Sequence, residues 1–158
     1  MGDHTEVVQV EFDPETISYE ELLHHFFAWH SPHRAMPTQY RSVILVADEE
    51  QLAVAERVLD QYQRQSGGPM ATVVEWLDTF YMAEDYHQKF YLQNRRDAVE
   101  RLDAFYGSRR AWFGTQLSGQ LNALVGGEIT KEELLANVDR LQLNAEETQL
   151  ALELVDLL

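Results

Sequence analysis

The apolar positions open on an alternation: Val8, Val10 and Phe12 stand between Gln9 and Glu11, and Asp13-Pro14 stops the run. A period of two predicts a half-buried strand over residues 6–12. The spacing then lengthens. Ser18 followed by Glu21 forms a capping box, each side chain meeting a backbone N–H left over at a helix start. Leu22, Leu23, Phe26, Phe27 and His30 follow at helical intervals, and the helix they predict ends before Pro32. A loop with two prolines over 31–38 leads into Val43-Ile44-Leu45-Val46-Ala47, an unbroken apolar run typical of an interior strand. Asp48 is placed to cap a second helix with Leu52, Ala55, Val58, Leu59 and Tyr62 on one face, closing at Ser66-Gly67-Gly68-Pro69. Thr72–Phe80, rich in Val and Trp, predicts a third strand, and Met82–Asn94 a third helix.

Beyond residue 95 the pattern is helical throughout. Val99, Leu102, Phe105 and Tyr106 share one stripe, and Trp112, Phe113, Leu117, Leu121 and Leu124 carry the period to Gly126-Gly127. Thr130 with Glu133 and Asn144 with Glu147 read as two further capping pairs. Strands alternating with helices, followed by helices alone, place the chain in the α/β (α+β) class, with helices flanking a sheet and an all-α continuation.

Composition narrows the function. The 158 residues contain 7 Phe, 7 Tyr and 3 Trp with 45% hydrophobic positions, enough for a genuine core and too apolar for disorder. A formal charge of −15 excludes nucleic acid and anionic membrane surfaces as natural partners, since both are bound by neutralising phosphates with Lys and Arg. No cysteine is present, so disulfides, thiolate metal sites and thiol relays within the chain are excluded. No apolar run approaches the length of a membrane span and no leader pattern opens the chain, so a cytoplasmic protein is expected. Gly2 is not a myristoylation signal, because position 6 is Glu rather than Ser or Thr.

Three segments carry a family resemblance. Gly2-Asp3-His4-Thr5-Glu6-Val7-Val8-Gln9-Val10-Glu11-Phe12-Asp13-Pro14, Gln39-Tyr40-Arg41-Ser42 and Ala83-Glu84-Asp85-Tyr86-His87-Gln88 resemble motifs of the peptide methionine sulfoxide reductase A family. The resemblance covers roughly residues 2–93 and matches the later two-thirds of the family's domain. It implies a sulfoxide-reductase-like mixed sheet with flanking helices that lacks the family's first strand. It also implies that Glu6 acts as a proton donor to the sulfoxide oxygen and Tyr40 as a hydrogen-bond donor to it. The family's nucleophile, the cysteine of a Gly-Cys-Phe-Trp motif, has no counterpart here, nor do the Phe-Trp walls, the Gly-Asn-Asp stretch or a resolving cysteine after Asn94. Serine or threonine is no substitute, because the step depends on sulfur passing through a sulfenic acid.

The other polar clusters have plainer readings. His24, His25, His30 and His33 fall within ten residues but do not share a face, so structural hydrogen bonding is expected rather than a metal site. Glu84, Asp85 and His87 are expected to shape the fold. From Glu128 onward only Lys131 and Arg140 are basic, and the acidic, Leu-rich tail is read either as core for two helices or as a face for a partner. Two regions follow: a sulfoxide-reductase-like part over 1–94 and a helical acidic extension over 95–158. The extension from Arg95 is expected to cover the sheet edge left by the absent strand; a second copy or another protein is the alternative cover. The expected function is a reductase-like module without turnover of its own, binding peptides or proteins that contain methionine or methionine sulfoxide. The alternatives are a reductase completed by an upstream segment or a partner, and an enzyme of different chemistry using Glu6, Tyr40 and a histidine. No cofactor or metal is expected.

Overall fold

Ser18 starts the first helix as its sequence predicts. Its hydroxyl accepts from Glu21 N–H, and the Glu21 carboxylate accepts from Ser18 N–H at 2.8 Å. In the computed structural model, which describes residues 4–158, helix α1 runs Tyr19–Trp29. Gly2 and Asp3 of the first motif lie outside the described residues. The chain divides into two compact units, Met1–Phe80 and Tyr81–Leu158.

In the first unit α1 is followed by strand β1 (Val43–Val46), helix α2 (Glu49–Ser66) and strand β2 (Val73–Trp76). Asp48 caps α2 by accepting from Gln51 N–H, and Gly67 ends it with φ of 68°, a left-handed turn that favours glycine. β1 and β2 pair in parallel, Val43 opposite Val73 and Val46 opposite Trp76. Leu23 and Phe27 of α1, Ile44 and Val46 of β1, and Ala55 and Val58 of α2 form one buried cluster. Each fully buried Val, Leu or Phe contributes about 1.5–3 kcal/mol.

Two expectations in this unit are corrected. Residues 6–12 form no strand: they run without regular structure, and among the described residues Val7–Phe12 make no backbone hydrogen bond. The alternation is strand-like, but a strand also needs a neighbour, and none pairs with it among the described residues. The third predicted strand shrinks to Val73–Trp76, because β1 offers only four residues; the last rung is Leu77 N–H to Val46 O at 2.9 Å.

The second unit is all helical. After a 3-10 turn at Asp85–His87 come α3 (Phe90–Gln93), α4 (Arg96–Tyr106), α5 (Arg109–Phe113), α6 (Gln116–Gly126), α7 (Lys131–Asn137) and α8 (Ala145–Leu157). The long helix predicted over Met82–Asn94 is therefore a turn and a single helical turn. Lys89 breaks it with φ of 48°, and Gln93 Nε2–H turns back to donate to Asp85 O at 2.6 Å and to Gln88 O. Both later capping boxes form, at Thr130–Glu133 and Asn144–Glu147. Trp112, Phe113 and Leu117 are buried with Leu92, Leu102 and Leu154 in this unit's own core, and Trp112 Nε1–H donates to Asp103 Oδ1 at 2.8 Å. That core accounts for their burial without recourse to a sheet edge.

Candidate functional site

Glu6 and Tyr40 both belong to the first unit, and hydrogen bonds bring their neighbourhoods together across 33 residues of sequence. Glu6 N–H donates to Gln39 O at 2.9 Å, and Gln39 Nε2–H donates back to Glu6 Oε1 at 2.6 Å. Thr5 adds a third tie, its hydroxyl donating to Thr38 O at 2.9 Å. Tyr40 sits at the end of the 3-10 turn Thr38–Tyr40, whose closing bond runs from Tyr40 N–H to Pro37 O at 2.9 Å.

Arg41 fixes this loop to the sheet. Its guanidinium donates to both oxygens of Glu75 on β2, at 2.7 and 2.6 Å, while its Nε–H donates to Thr5 Oγ1 at 3.0 Å. The two-pronged contact with Arg41 holds the Glu75 carboxyl below the usual carboxylate range. One arginine thus ties the arm bearing Glu6, the loop bearing Tyr40 and strand β2 into a single frame.

Next to this frame lies a chain of hydroxyls. Ser42 Oγ is 2.7 Å from His30 Nε2 and 2.8 Å from Thr72 Oγ1, and His30 Nδ1 is 2.5 Å from Phe26 O. His30 therefore joins the end of α1 to the start of β1. His24 bonds Tyr62, His33 bonds Pro69 O, and His25 packs against the Trp29 ring. Among the described residues no group of three or more His, Cys, Asp or Glu is placed to hold a metal.

Both site residues face solvent. Tyr40 is 55% exposed and its hydroxyl has no hydrogen-bond partner among the described residues. Glu6 is exposed as well, with Gln39 occupying one carboxylate oxygen. Surface depressions of about 510 and 340 Å³ lie in the helical unit, beside Arg101 and Glu153 and beside Asn94 and Arg95; neither includes Glu6 or Tyr40.

The third motif lies in the second unit. Glu84 and His87 stand 4.0 Å apart on the surface, and Asp85 accepts from Arg110 Nε–H at 3.0 Å. No local sequence signal announces the link from Gln39 to Glu6, because it joins residues 33 apart and depends on the arm reaching the loop.

Residues 1–112 match the peptide methionine sulfoxide reductase family. The peptide methionine sulfoxide reductase MsrA of Haloquadratum walsbyi is 44% identical over 108 residues, which cover 65% of this chain and 62% of that protein. The corresponding MsrA of a Nitratiruptor species is 46% identical over 92 residues, 54% of this chain and 53% of that protein. A peptide methionine sulfoxide reductase of Drosophila melanogaster is 37% identical over 137 residues, 84% of this chain and 56% of that protein. The chain therefore spans about half to three-fifths of the length of these curated relatives. With more than half of its residues matched, it belongs to the peptide methionine sulfoxide reductase family.

Proposed function

We propose that this chain is the oxygen-holding part of a methionine sulfoxide site, which recognises oxidised methionine in a peptide or protein and does not reduce it unaided. The sulfoxide S–O bond is strongly polarised, so its oxygen is a better hydrogen-bond acceptor than anything a thioether offers. Tyr40 supplies an exposed phenol with no competing partner. Glu6, tied to the adjacent residue Gln39, brings a second polar side chain to the same loop.

The observation that carries this reading is the pair of bonds between Glu6 and Gln39 next to Tyr40, whose hydroxyl is unpartnered among the described residues, in a chain without a thiol. Oxygen transfer to a thiol needs a thiol, and these 158 residues contain none. Binding and turnover are thereby separable in this protein.

A thiol-driven assay tests the proposal. Pure chain is supplied with dithiothreitol and a methionine-S-sulfoxide peptide, and thioether formation is followed by mass spectrometry. The expected result is no enzyme-dependent product from the pure chain. Turnover proportional to chain concentration would sink the reading. A second reading, a reductase completed by another polypeptide, is favoured by the share of the relatives' length that this chain leaves unmatched. It predicts turnover only when a thiol-bearing polypeptide is added.

A further inference from the structure

In the first unit an imidazole and two hydroxyls form a chain whose hydrogen-bond directions follow from counting protons. The Phe26 carbonyl can only accept, so its 2.5 Å contact with His30 Nδ1 puts a proton on that nitrogen. In the neutral ring Nε2 is then an acceptor, and Ser42 Oγ, 2.7 Å away, gives it the one hydroxyl proton it has. The 2.8 Å approach of the Ser42 and Thr72 hydroxyls needs a proton between them, and it has to be that of Thr72. Thr72 is left with nothing to offer Pro32 O. That contact is long, 3.5 Å, against 2.7 Å for the Ala71 N–H bond to the same carbonyl.

We propose that His30 is a proton-operated latch on the loop that carries Tyr40: a second proton on its ring reverses both hydroxyls and extends the chain to Pro32 O. As regulation of the candidate site, the latch rests on the function proposed above.

A cationic ring donates from both nitrogens. Its Nε2–H turns to Ser42 Oγ, Ser42 then donates to Thr72, and the Thr72 proton is released to Pro32 O. Each hydroxyl only rotates about its C–O bond; no link is lost and one is gained. Pro32 stands at the head of the loop over 31–38, and Ser42 follows Tyr40 and Arg41 at the start of β1, so one ring sets both ends of the segment between α1 and β1. The setting suits the charged form. The His30 ring lies 4.0 Å from the Phe26 ring, whose face attracts a cation. Thr72 is 4% exposed, which keeps water from standing in for the chain. No charged side chain bonds the His30 ring among the described residues, and those of the adjoining elements are engaged elsewhere or exposed. On α1, Glu20 pairs with Arg57, Glu21 caps at Ser18, His24 bonds Tyr62 and His25 packs on Trp29. On the loop and strands, His33 bonds Pro69 O, Arg34 is exposed and Arg41 pairs with Glu75.

A pH titration of the nitrogen-15-labelled full chain, read at the His30 ring nitrogens and at the backbone amides, tests the latch. The neutral ring is expected to carry its proton on Nδ1. The Ala71 and Tyr40 amides are expected to shift with the same midpoint as the ring, Ala71 because its acceptor gains a second donor. Thr72→Val keeps the shape and removes the hydroxyl; the ring is expected to titrate still and the Ala71 shift to be lost. Thr72→Ser restores the hydroxyl and is expected to restore the shift. Ser42→Ala breaks the chain one link earlier and is expected to give the same loss, so the test does not hang on one variant folding. A neutral ring protonated on Nε2 overturns the assigned directions. An Ala71 shift that survives both Thr72→Val and Ser42→Ala overturns the relay, and Ala71 or Tyr40 amides that stay still while the ring titrates overturn the latch. None of these signals involves a sulfoxide, so failure of the latch and failure of the proposed function are read separately.

Discussion

The two units satisfy their backbones in different ways. In the helical unit Trp112, Leu117 and Leu121 are fully buried around a single core, and the helices are closed by their own caps at Thr115, Thr130 and Asn144. In the first unit Val8, Trp29 and Trp76 stand largely in solvent, and a two-stranded parallel sheet is covered by α1 and α2 through Ile44, Val46 and Val74. Parallel strands are ordinarily buried on both faces. Helices satisfy their backbone locally, so the helical unit forms a core from its own side chains, although Tyr86 and Phe90 stay exposed. A sheet satisfies its backbone only through neighbours, so the first unit shows where neighbours are lacking, and the candidate site lies in that unit.

The sharpest way to break this contrast is to hollow the helical core. Trp112→Ala removes a fully buried ring and one hydrogen bond to Asp103, and is expected to cost about 3–5 kcal/mol, read as an early loss of the amide signals of α4–α6 in a urea titration. An unchanged midpoint for those signals would contradict a core organised on Trp112. A smaller effect is expected at high pH. Burial and the bond to Glu147 push the Tyr106 hydroxyl up to about 12, above its ordinary value of 10.0. A raised value means the stabilisation is complete below pH 10 and is lost between about pH 10 and 12, as unfolded chains ionise first. Tyr106→Phe should flatten that part of the stability–pH curve.

The first unit offers the reverse test. Among the described residues the Tyr19 hydroxyl is buried without a hydrogen-bond partner. Tyr19→Phe is expected to stabilise the unit by up to about 1 kcal/mol in chemical denaturation, since an unsatisfied buried hydroxyl costs more than an apolar ring edge; a loss of similar size would reveal a partner. The smallest effect belongs to the arm. Val8→Ala is expected to change stability by less than about 0.5 kcal/mol, because the side chain is exposed. A larger loss would show that the arm is already packed.

What the sequence shows plainly is whatever is decided within a turn or two. Ser18, Asp48, Thr130 and Asn144 announce their helices because a cap and its N–H lie three residues apart. Val43–Val46 is legible as a strand because it is apolar on both faces, but in a two-stranded sheet it has one neighbour and is not interior. The strand expected at 6–12 fails for the opposite reason: Val8 and Val10 have the right alternation, but pairing is a tertiary event. The stretch before Asn94 misleads because Gln93 bonds backward to the Asp85 carbonyl and competes with the helix. At the site, Glu6 and Tyr40 are found through family motifs alone. Gln39 and Arg41, which tie the arm to the loop, act across 33 and 36 residues and leave no local pattern.

The most direct test is a titration of the labelled chain with one peptide in two forms, methionine S-sulfoxide and methionine, read at Tyr40 and at the Glu6 and Gln39 amides. The sulfoxide form is expected to shift these signals saturably, the thioether form to leave them in place, and Tyr40→Phe to weaken the response by about tenfold. Identical behaviour of the two forms, or a sulfoxide response that Tyr40→Phe leaves untouched, would contradict an oxygen-holding site at Glu6 and Tyr40.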